Sequence, residues 1–298
     1  MWYTEVTRPE KGNVPLSTFA LPEPLDINTL LAEQDETSYD WLIPDLLERG
    51  DRLILTGGEG KGKSTLMRQI AVQTALGIHP FTLAPMAPRR VLLIDLENPR
   101  RSVRRKLVEV CGTHEFPDGQ LFVARWPAGL DLTHPAECEA MSDLLGRIWP
   151  ELLVIGPMYK LAQKLNDEES SAQVASIIDQ WRAIFNFSVI LEAHQPQSSI
   201  VDGRLWRAER PIGSSLWMRW PEFGICLEDR GTLRHWRGPR EERSWPEKLY
   251  RGEEWPWMAE ARLCLHCGTQ LDGLQERYCS TKCGNAARVA KHRATHRV

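Results

Sequence analysis

The sequence predicts an α/β protein with a mainly parallel sheet, and three observations lead to this fold class. Short apolar runs alternate along the chain with helix-forming segments, which is the order typical of a parallel sheet. The first apolar run ends in a glycine-rich loop that leads into a helix-forming segment. Further along, two apolar runs are separated by the short polar segment 228–231, which predicts an antiparallel hairpin at the sheet edge.

The predicted elements follow one another in chain order. Apolar runs predict strands at 52–56, 91–96, 121–124, 152–155 and 188–192. The segments after the first strand predict helices at 64–76, 102–110, 136–148 and 171–185. The hairpin strands fall at 223–227 and 232–236, after the strand at 188–192, which we interpret as the last parallel one.

The chain of 298 residues is long enough for one large domain with appendages or for two modest domains. We divide it into an N-terminal arm or linker at 1–38, a main domain at 39–245, a Trp- and Pro-rich connector at 246–262 and a small basic module at 263–298. No apolar run approaches the roughly 18 residues that span a bilayer, and no leader-like segment opens the chain. We therefore expect a cytoplasmic protein with no membrane partner.

Charge is unevenly distributed. Lys and Arg number 37 against 40 Asp and Glu, so any attraction to nucleic acid must come from local patches. From residue 261 onward the chain carries seven basic and two acidic residues. The C-terminal module is therefore basic, whereas the remainder is acidic.

The glycine-rich loop matches the phosphate-binding pattern G-x-x-x-x-G-K-[ST] at Gly57, Gly62, Lys63 and Ser64. Its backbone N–H groups are expected to surround the phosphates of ATP, with Lys63 reaching the β and γ phosphates and the Ser64 hydroxyl binding Mg²⁺. A glycine-rich turn without a ligand is the competing interpretation. The complete predicted loop comprises Gly57, Gly58, Glu59, Gly60, Lys61, Gly62, Lys63, Ser64 and Thr65.

A carboxylate follows the next predicted strand. Glu97 lies where open α/β sheets bind ligands, so it is the candidate that orients the attacking water; the alternative is an acidic residue at a helix start. Asp95 is expected to face the metal or a neighbouring loop. The strand at 152–155 ends in Gly156 instead of a Mg²⁺-associated Asp. Either Ser64, phosphates and water hold the metal with help from Asp95, which we favour, or hydrolysis is slow.

His194 and Gln195 follow the predicted strand at 188–192 and are candidate sensors of the γ-phosphate; the alternative for His194 is a structural role. Together with the phosphate loop, the segments 91–98, 191–195 and 233–240 resemble the RecA-like ATPases. The most similar branch is that of the RepA- and DnaB-type hexameric helicases of phages and plasmids. The resemblance covers about residues 40–245 and implies a RecA-like ATPase domain that assembles as a homo-hexamer.

The same resemblance implies that Arg237, with Arg240 next, is an arginine finger that enters the neighbouring subunit's site. An exposed basic edge is the alternative. It also implies two DNA-binding loops, at 160–171 and 196–214. The second loop combines basic residues with an aromatic one, which suits single-stranded DNA, although a solvated loop is the competing interpretation. Its candidates are Arg204, Trp206, Arg207 and Arg210.

Four cysteines have metal-ligand spacing in the C-terminal module, namely Cys264, Cys267, Cys279 and Cys283. We expect them to bind Zn²⁺, in preference to disulfides or free thiols, because so short a segment cannot bury a core. The module is similar to zinc ribbons of the CGNR type, although Ala286 departs from that signature. This resemblance implies DNA contact through Arg288, Lys291 and Arg293; the alternative is that these residues dock on the acidic ATPase domain.

These features predict an ATP-dependent DNA motor, a ring-forming replicative helicase of a phage or plasmid that works with replication partner proteins. Two alternatives stay open. One is a RecA-like recombinase or recombination mediator. The other is a nucleotide-switched DNA-binding regulator with little turnover, an alternative that the glycine at position 156 keeps open.

Overall fold

A computed structural model describes residues 24–32, 39–196, 199–201, 204–206, 210–238, 243–260, 263–269, 271 and 277–295. Side chains are described for these residues except at 199–201, 204–206 and 290–295. The chain divides into two compact units, Met1–Tyr39 and Asp40–Val298. In the first unit, a short helix α1 spans Ile27–Ala32. The remaining elements belong to the second unit.

Within the described residues, one sheet of seven strands forms the centre of the second unit. The strands are β3 (Arg52–Gly57), β4 (Val91–Asp95), β5 (Leu121–Arg125), β6 (Leu152–Gly156), β7 (Ser188–Glu192), β10 (Phe223–Leu227) and β11 (Leu233–Arg237). Their order across the sheet is β11-β10-β3-β7-β6-β4-β5. All neighbours are parallel except β10 and β11, so the predicted mainly parallel sheet with an antiparallel edge hairpin is confirmed.

One detail of the predicted topology is wrong. The strand at 188–192 is not the last parallel strand, because β10 runs parallel to β3 from Phe223 to Leu227 and only β11 is antiparallel. Every residue of β10 is buried, which is expected of a strand with neighbours on both sides and helices or connectors over its faces. The strand that carries the phosphate loop therefore lies between two parallel neighbours, β7 and β10.

The helices of the second unit are α2 (Lys63–Leu76), α3 (Arg100–Cys111), α4 (Pro135–Ile148), α5 (Glu168–Phe185) and α6 (Thr281–Thr295). The four helices predicted from the sequence correspond to α2 to α5. Helix α5 begins three residues earlier than predicted because the Asp167 carboxylate accepts a hydrogen bond from the N–H of Ser170 and caps its first turn. None of the helices in the described residues is long and apolar enough to cross a membrane.

The core consists of two apolar layers, one on each face of the sheet. On one face, side chains such as Ile54 and Ile155 pack against α4 and α5, where Trp181 is fully buried. On the other face, Leu53 and Leu55 pack against α2. Successive residues of a strand point to opposite faces, which is why neighbouring apolar residues of one strand serve different layers.

Short strand pairs surround the main sheet. They are β1 (Trp41–Ile43) with β2 (Leu47–Glu48), β8 (Ser199–Val201) with β9 (Arg204–Trp206), and β12 (Tyr250–Arg251) with β13 (Trp257–Met258). The last pair lies in the Trp- and Pro-rich stretch, where Trp255 and Trp257 are buried. This stretch therefore packs against the main domain, whereas the exact domain boundaries at 38, 245 and 262 stay predictions.

Candidate functional site

The phosphate loop joins β3 to α2 through glycines in conformations that other residues rarely adopt. Gly60 has a φ of 71° and Gly62, which precedes the first turn of α2, has a φ of 94°. A helix that begins directly after such a loop is expected to offer the free N–H groups of its first turn to a bound anion. Lys63 is only 4% exposed, and its Nζ donates to the carbonyl of Gly58 at 2.9 Å. Its ammonium group is thereby held inside the loop.

Two other charged residues belong to the loop. Glu59 is exposed, and Lys61 forms an ion pair with Asp229 in the turn between β10 and β11. A nucleotide-binding role for Lys61, as a member of the predicted loop, stays a prediction. Thr65 is half-buried in the first turn of α2.

Behind the loop, the connector supports Gly62. The Nε1 of Trp257 donates to the Gly62 carbonyl at 3.4 Å, and a Cβ added at Gly62 would lie 2.9 Å from the Trp257 ring. The side-chain amide of Gln69 makes two hydrogen bonds with the Trp257 backbone, at 2.7 and 2.8 Å. The Arg251 guanidinium stacks on the same ring, with its Cζ atom 3.8 Å from the ring centroid. Sequence reasoning missed this support because the two segments are almost 200 residues apart.

Ser64 contacts an acidic residue that sequence reasoning missed. Its Oγ donates a 2.7 Å hydrogen bond to Oε1 of Glu192, the last residue of β7. Glu192 is 7% exposed, and together with Ser64, Asp95 and Gly156 it lines a small cavity beside the loop. A carboxylate at the carboxyl end of a buried strand is the only signal in the sequence that identifies it.

Asp95 accepts hydrogen bonds from helix α2 and from the loop that follows β4. Its Oδ2 accepts from Arg68 at 2.9 Å, and its Oδ1 accepts from the backbone N–H groups of Glu97 and Asn98 at 3.0 and 2.7 Å. Burial by itself would raise the pKa of Asp95, but the hydrogen bonds from Asn98, Glu97 and Arg68 outweigh it and lower the pKa below its ordinary value. Asp95 is therefore ionised and orients the segment that carries Glu97. Its direct role at the metal stays a prediction.

Glu97 projects from the end of β4 and is exposed. The hydroxyl of Tyr159 donates to its Oε1 at 3.3 Å, and the Tyr159 ring lies 5.7 Å from the ring of His194. Burial, and then the negative charge of Glu97, raise the pKa of Tyr159, so the phenol stays a donor at neutral pH. The predicted base and the predicted sensor are thus brought together through a tyrosine that sequence reasoning did not select.

The other sensor candidate points toward the hairpin. Nε2 of Gln195 lies 3.0 Å from Sγ of Cys226 on β10, so its side chain reaches across the end of β3. The sheet therefore places His194 and Gln195 on opposite sides of the phosphate-loop strand. Their sensing role stays a prediction.

The candidate arginine finger is exposed on the edge strand β11. The Arg237 guanidinium donates to the carbonyls of Pro221 and Arg219, both at 3.0 Å. Arg234, on the same strand, pairs with Glu228 at 2.8 Å. Arg240 lies outside the described residues.

The DNA-binding candidates are only partly described. Arg204 and Trp206 belong to β9, without described side chains, and Arg207 lies outside the described residues. Arg210 is exposed. On α6, Arg288 is exposed; Lys291 and Arg293 belong to the same helix, without described side chains.

The structure brings the four C-terminal cysteines together. All four Sγ atoms lie within 4.8 Å of one another. The closest pairs are Cys267 with Cys279 and Cys279 with Cys283, both at 3.5 Å, and Cys267 with Cys283 at 3.7 Å. Four sulfurs at Zn–S distances of about 2.3 Å around a tetrahedral ion would be about 3.8 Å apart, so the group fits Zn²⁺.

Comparison with known protein families is consistent with a nucleotide-binding site at the phosphate loop. Residues 17–199, more than half of the chain, match the family model AAA_25, described as an AAA domain. The chain belongs to this AAA domain family. With the phosphate loop and the sheet around it, the family identifies this AAA protein as a P-loop ATPase with a RecA-like core, for which ATP and Mg²⁺ are the expected ligands.

Two individual proteins are similar to this AAA protein. The uncharacterized protein ycf45 of Porphyra purpurea is 31% identical over 116 residues, which is 38% of this chain. The matched part spans only 16% of that relative. Among solved structures, the KaiC-like protein PH0186 from the hyperthermophilic archaeon Pyrococcus horikoshii OT3 is 17% identical with a TM-score of 0.47. The match covers 70% of this chain and 89% of that one.

Proposed function

We propose that this ATPase is an ATP-dependent DNA motor, a ring-forming replicative helicase of the phage or plasmid type. A homo-hexamer hydrolyses ATP at its subunit interfaces, and each change of the bound nucleotide moves loops that hold single-stranded DNA. The observation that carries the proposal is a 2.8 Å hydrogen bond from the N–H of Ile212 to the carbonyl of His194.

This bond closes a loop at the predicted sensor. The segment 195–211 leaves the sheet after His194 and returns to the same residue, and it contains the β8–β9 hairpin with Arg204 and Trp206. A movement of His194 when the γ-phosphate leaves would therefore be passed directly to Ile212, which follows the segment that contains the hairpin. Basic and aromatic residues at such a position suit the backbone and bases of single-stranded DNA.

Each residue around the phosphate loop has a separate role in ATP hydrolysis. Lys63 meets the β and γ phosphates, Ser64 holds Mg²⁺, and Glu97 orients the attacking water with help from Tyr159. Mg²⁺ held by Ser64 would supply positive charge close to the transferring phosphoryl group. The exposed position of Arg237 on the edge strand supports its role as a finger supplied to the adjacent subunit.

The C-terminal module contributes a structural zinc site in this proposal. Cys264, Cys267, Cys279 and Cys283 hold Zn²⁺, and the metal supplies folding energy that a segment of this size cannot obtain from a core. Helix α6 then presents Arg288 and further basic residues to DNA or to a replication partner protein. The proximity of the four sulfur atoms supports the metal site.

One experiment separates this proposal from the two alternatives. ATPase rates of the full chain are measured with and without single-stranded DNA, together with molecular mass in solution, strand unwinding and a Lys63→Ala control that abolishes hydrolysis. A closed ring, DNA-stimulated turnover and unwinding are expected. Filaments without unwinding would favour a recombinase. Tight ATP binding with negligible turnover would favour a nucleotide-switched regulator, a function that the glycine at position 156 also suits.

A further inference from the structure

Gly156 ends β6 at the position where a Mg²⁺-associated aspartate was expected. It does not adopt the left-handed conformation that requires glycine. A Cβ added to Gly156 would instead lie 2.7 Å from both Cβ and Oε2 of Glu192, much closer than atoms in proteins approach. The glycine therefore provides the space that the Glu192 side chain occupies.

Glu192 lies between the two strands that usually form a metal site beside a phosphate loop. Strand β7 pairs with β3 on one side, with Leu55 opposite Glu192, and with β6 on the other. The Glu192 side chain thus spans from the end of its own strand to Ser64 on one side and to Gly156 on the other. It occupies the place that a β6 aspartate would fill.

The surroundings of Glu192 favour a cation. Glu192 as a whole residue is 7% exposed, and its Oε1 accepts from the neutral hydroxyl of Ser64. Within the described residues no ion pair involves Glu192, and Oε2 accepts no hydrogen bond. A buried carboxylate is costly unless a positive charge compensates it. A carboxylate next to a serine hydroxyl is a donor set that Mg²⁺ accepts, since this ion prefers oxygen ligands and retains several waters.

We propose that Glu192 replaces the absent β6 aspartate and, together with Ser64, holds Mg²⁺ at the bound nucleotide, directly or through one of the waters of the ion. Glu97 keeps the separate task of orienting the attacking water, because it is exposed and contacts Tyr159 instead of Ser64. This inference rests on the nucleotide site of the ATPase and not on the proposed DNA motor.

The test measures how much Mg²⁺ strengthens nucleotide binding. The dissociation constant of a fluorescent ADP is determined for the full chain in Mg²⁺ and in EDTA. Glu192→Gln preserves the shape of the side chain and an oxygen that accepts from Ser64, but removes the charge. Its affinity in EDTA should equal that of the unaltered protein, whereas the gain produced by Mg²⁺ should fall about 10- to 100-fold.

The matched control is Glu97→Gln, which removes a charge from the same site and should retain the whole gain produced by Mg²⁺. A Glu192→Gln protein that also retains the whole gain would overturn the proposal. If single-stranded DNA does not stimulate hydrolysis, the DNA motor is contradicted, but the effect of Mg²⁺ on ADP affinity does not depend on that result. Failure of the DNA motor can therefore be distinguished from failure of the Glu192 proposal.

Moving the carboxylate from position 192 to position 156 tests whether Glu192 takes the place of a β6 aspartate. Gly156→Asp alone should lower the melting temperature because its Cβ collides with Glu192. In the double variant Gly156→Asp with Glu192→Gly, which also removes the Cβ at position 192, the carboxylate returns to β6 and the Mg²⁺-dependent gain should exceed that of Glu192→Gly. A folded double variant without recovery would contradict the exchange. If the double variant does not fold, the affinity of the Glu192→Gln protein for Mn²⁺ in the presence of ADP is measured by electron paramagnetic resonance. This affinity should be weaker than that of the unaltered protein, and an unaltered affinity would overturn the proposal.

Discussion

The hydroxyl of Ser64 donates a 2.7 Å hydrogen bond to the carboxylate of Glu192 and so connects the first turn of α2 to the end of β7. A second hydroxyl, that of Tyr159, donates to Glu97 at 3.3 Å. The two glutamates beside the phosphate loop each accept a hydrogen bond from a hydroxyl group, but Glu192 is buried whereas Glu97 is exposed. This difference in environment separates their roles, and each can be tested alone.

Replacing Glu97 should separate turnover from binding. Glu97→Gln is expected to bind ATP as the unaltered protein does but to lose turnover by roughly 10²-fold or more, because the amide cannot accept a proton from the attacking water. Single-turnover hydrolysis and ATP affinity are the measurements. A parallel fall in affinity and turnover would show that Glu97 is structural.

Removing the Tyr159 hydroxyl should have a smaller effect. Tyr159→Phe loses one hydrogen bond to Glu97, so we expect turnover to fall roughly 2- to 10-fold with ATP affinity unchanged. Because the pKa of Tyr159 is raised, its hydroxyl remains protonated through neutral pH. The pH profiles of the two proteins between pH 6 and about 9 should therefore have the same shape. An additional inflection in the profile of the unaltered protein alone, within that range, would contradict this assignment.

The proposed finger can be tested by mixing subunits. Arg237→Ala should lower ATPase activity while ATP binding by the monomer stays intact, because the guanidinium acts in the neighbouring site. Mixing Arg237→Ala with Glu97→Gln should restore some turnover, since one interface can then combine an intact base with an intact finger. Arg234→Ala is the control, because Arg234 is also exposed on the edge strand β11. A lack of complementation in confirmed mixed assemblies would argue against a role in trans.

The cysteine group should bind one Zn²⁺ per chain. Metal analysis of the purified full chain should find close to one equivalent, and Cys279→Ser should lose it because three thiolates hold the ion less tightly. Less than about half an equivalent in the unaltered protein would rule out a tight site.

Removing residues 261–298 should leave basal hydrolysis largely intact and reduce both DNA affinity and its dependence on salt. An unchanged salt dependence would show that the module does not contact DNA.

The support behind the phosphate loop gives the last prediction. Trp257→Ala should lower the free energy of unfolding by about 3 to 5 kcal/mol and also weaken ADP binding, because the ring contacts Gly62. Trp255→Ala, in the same connector, is the control: its ring stacks on His114 and not on the loop, so ADP affinity of the folded protein should not change. Urea unfolding and ADP titration measure both effects. Equal ADP affinities for the two variants would contradict this role.

Local features of the sequence were sufficient for much of the fold. The alternation of apolar runs with helix-forming segments predicted β3 to β7 and α2 to α5, because burial on both faces demands continuous apolar strands. The pattern at 57–64 predicted the phosphate loop, since glycines in left-handed conformations and a following helix are local requirements. The cysteine spacing likewise predicted the group of four sulfurs that the structure brings together.

Contacts between residues of different strands could not be predicted in this way. They depend on which strands are neighbours in the sheet, and the periodicity of a single segment does not contain that information. The sequence by itself determined that Gly156 and Glu192 end two buried strands. Only the tertiary structure decided that these strands are adjacent, so that Glu192 fills the space above Gly156 and reaches Ser64. The same is true of Trp257 behind Gly62, since contacts between distant segments form when crossovers and connectors return the chain to the sheet.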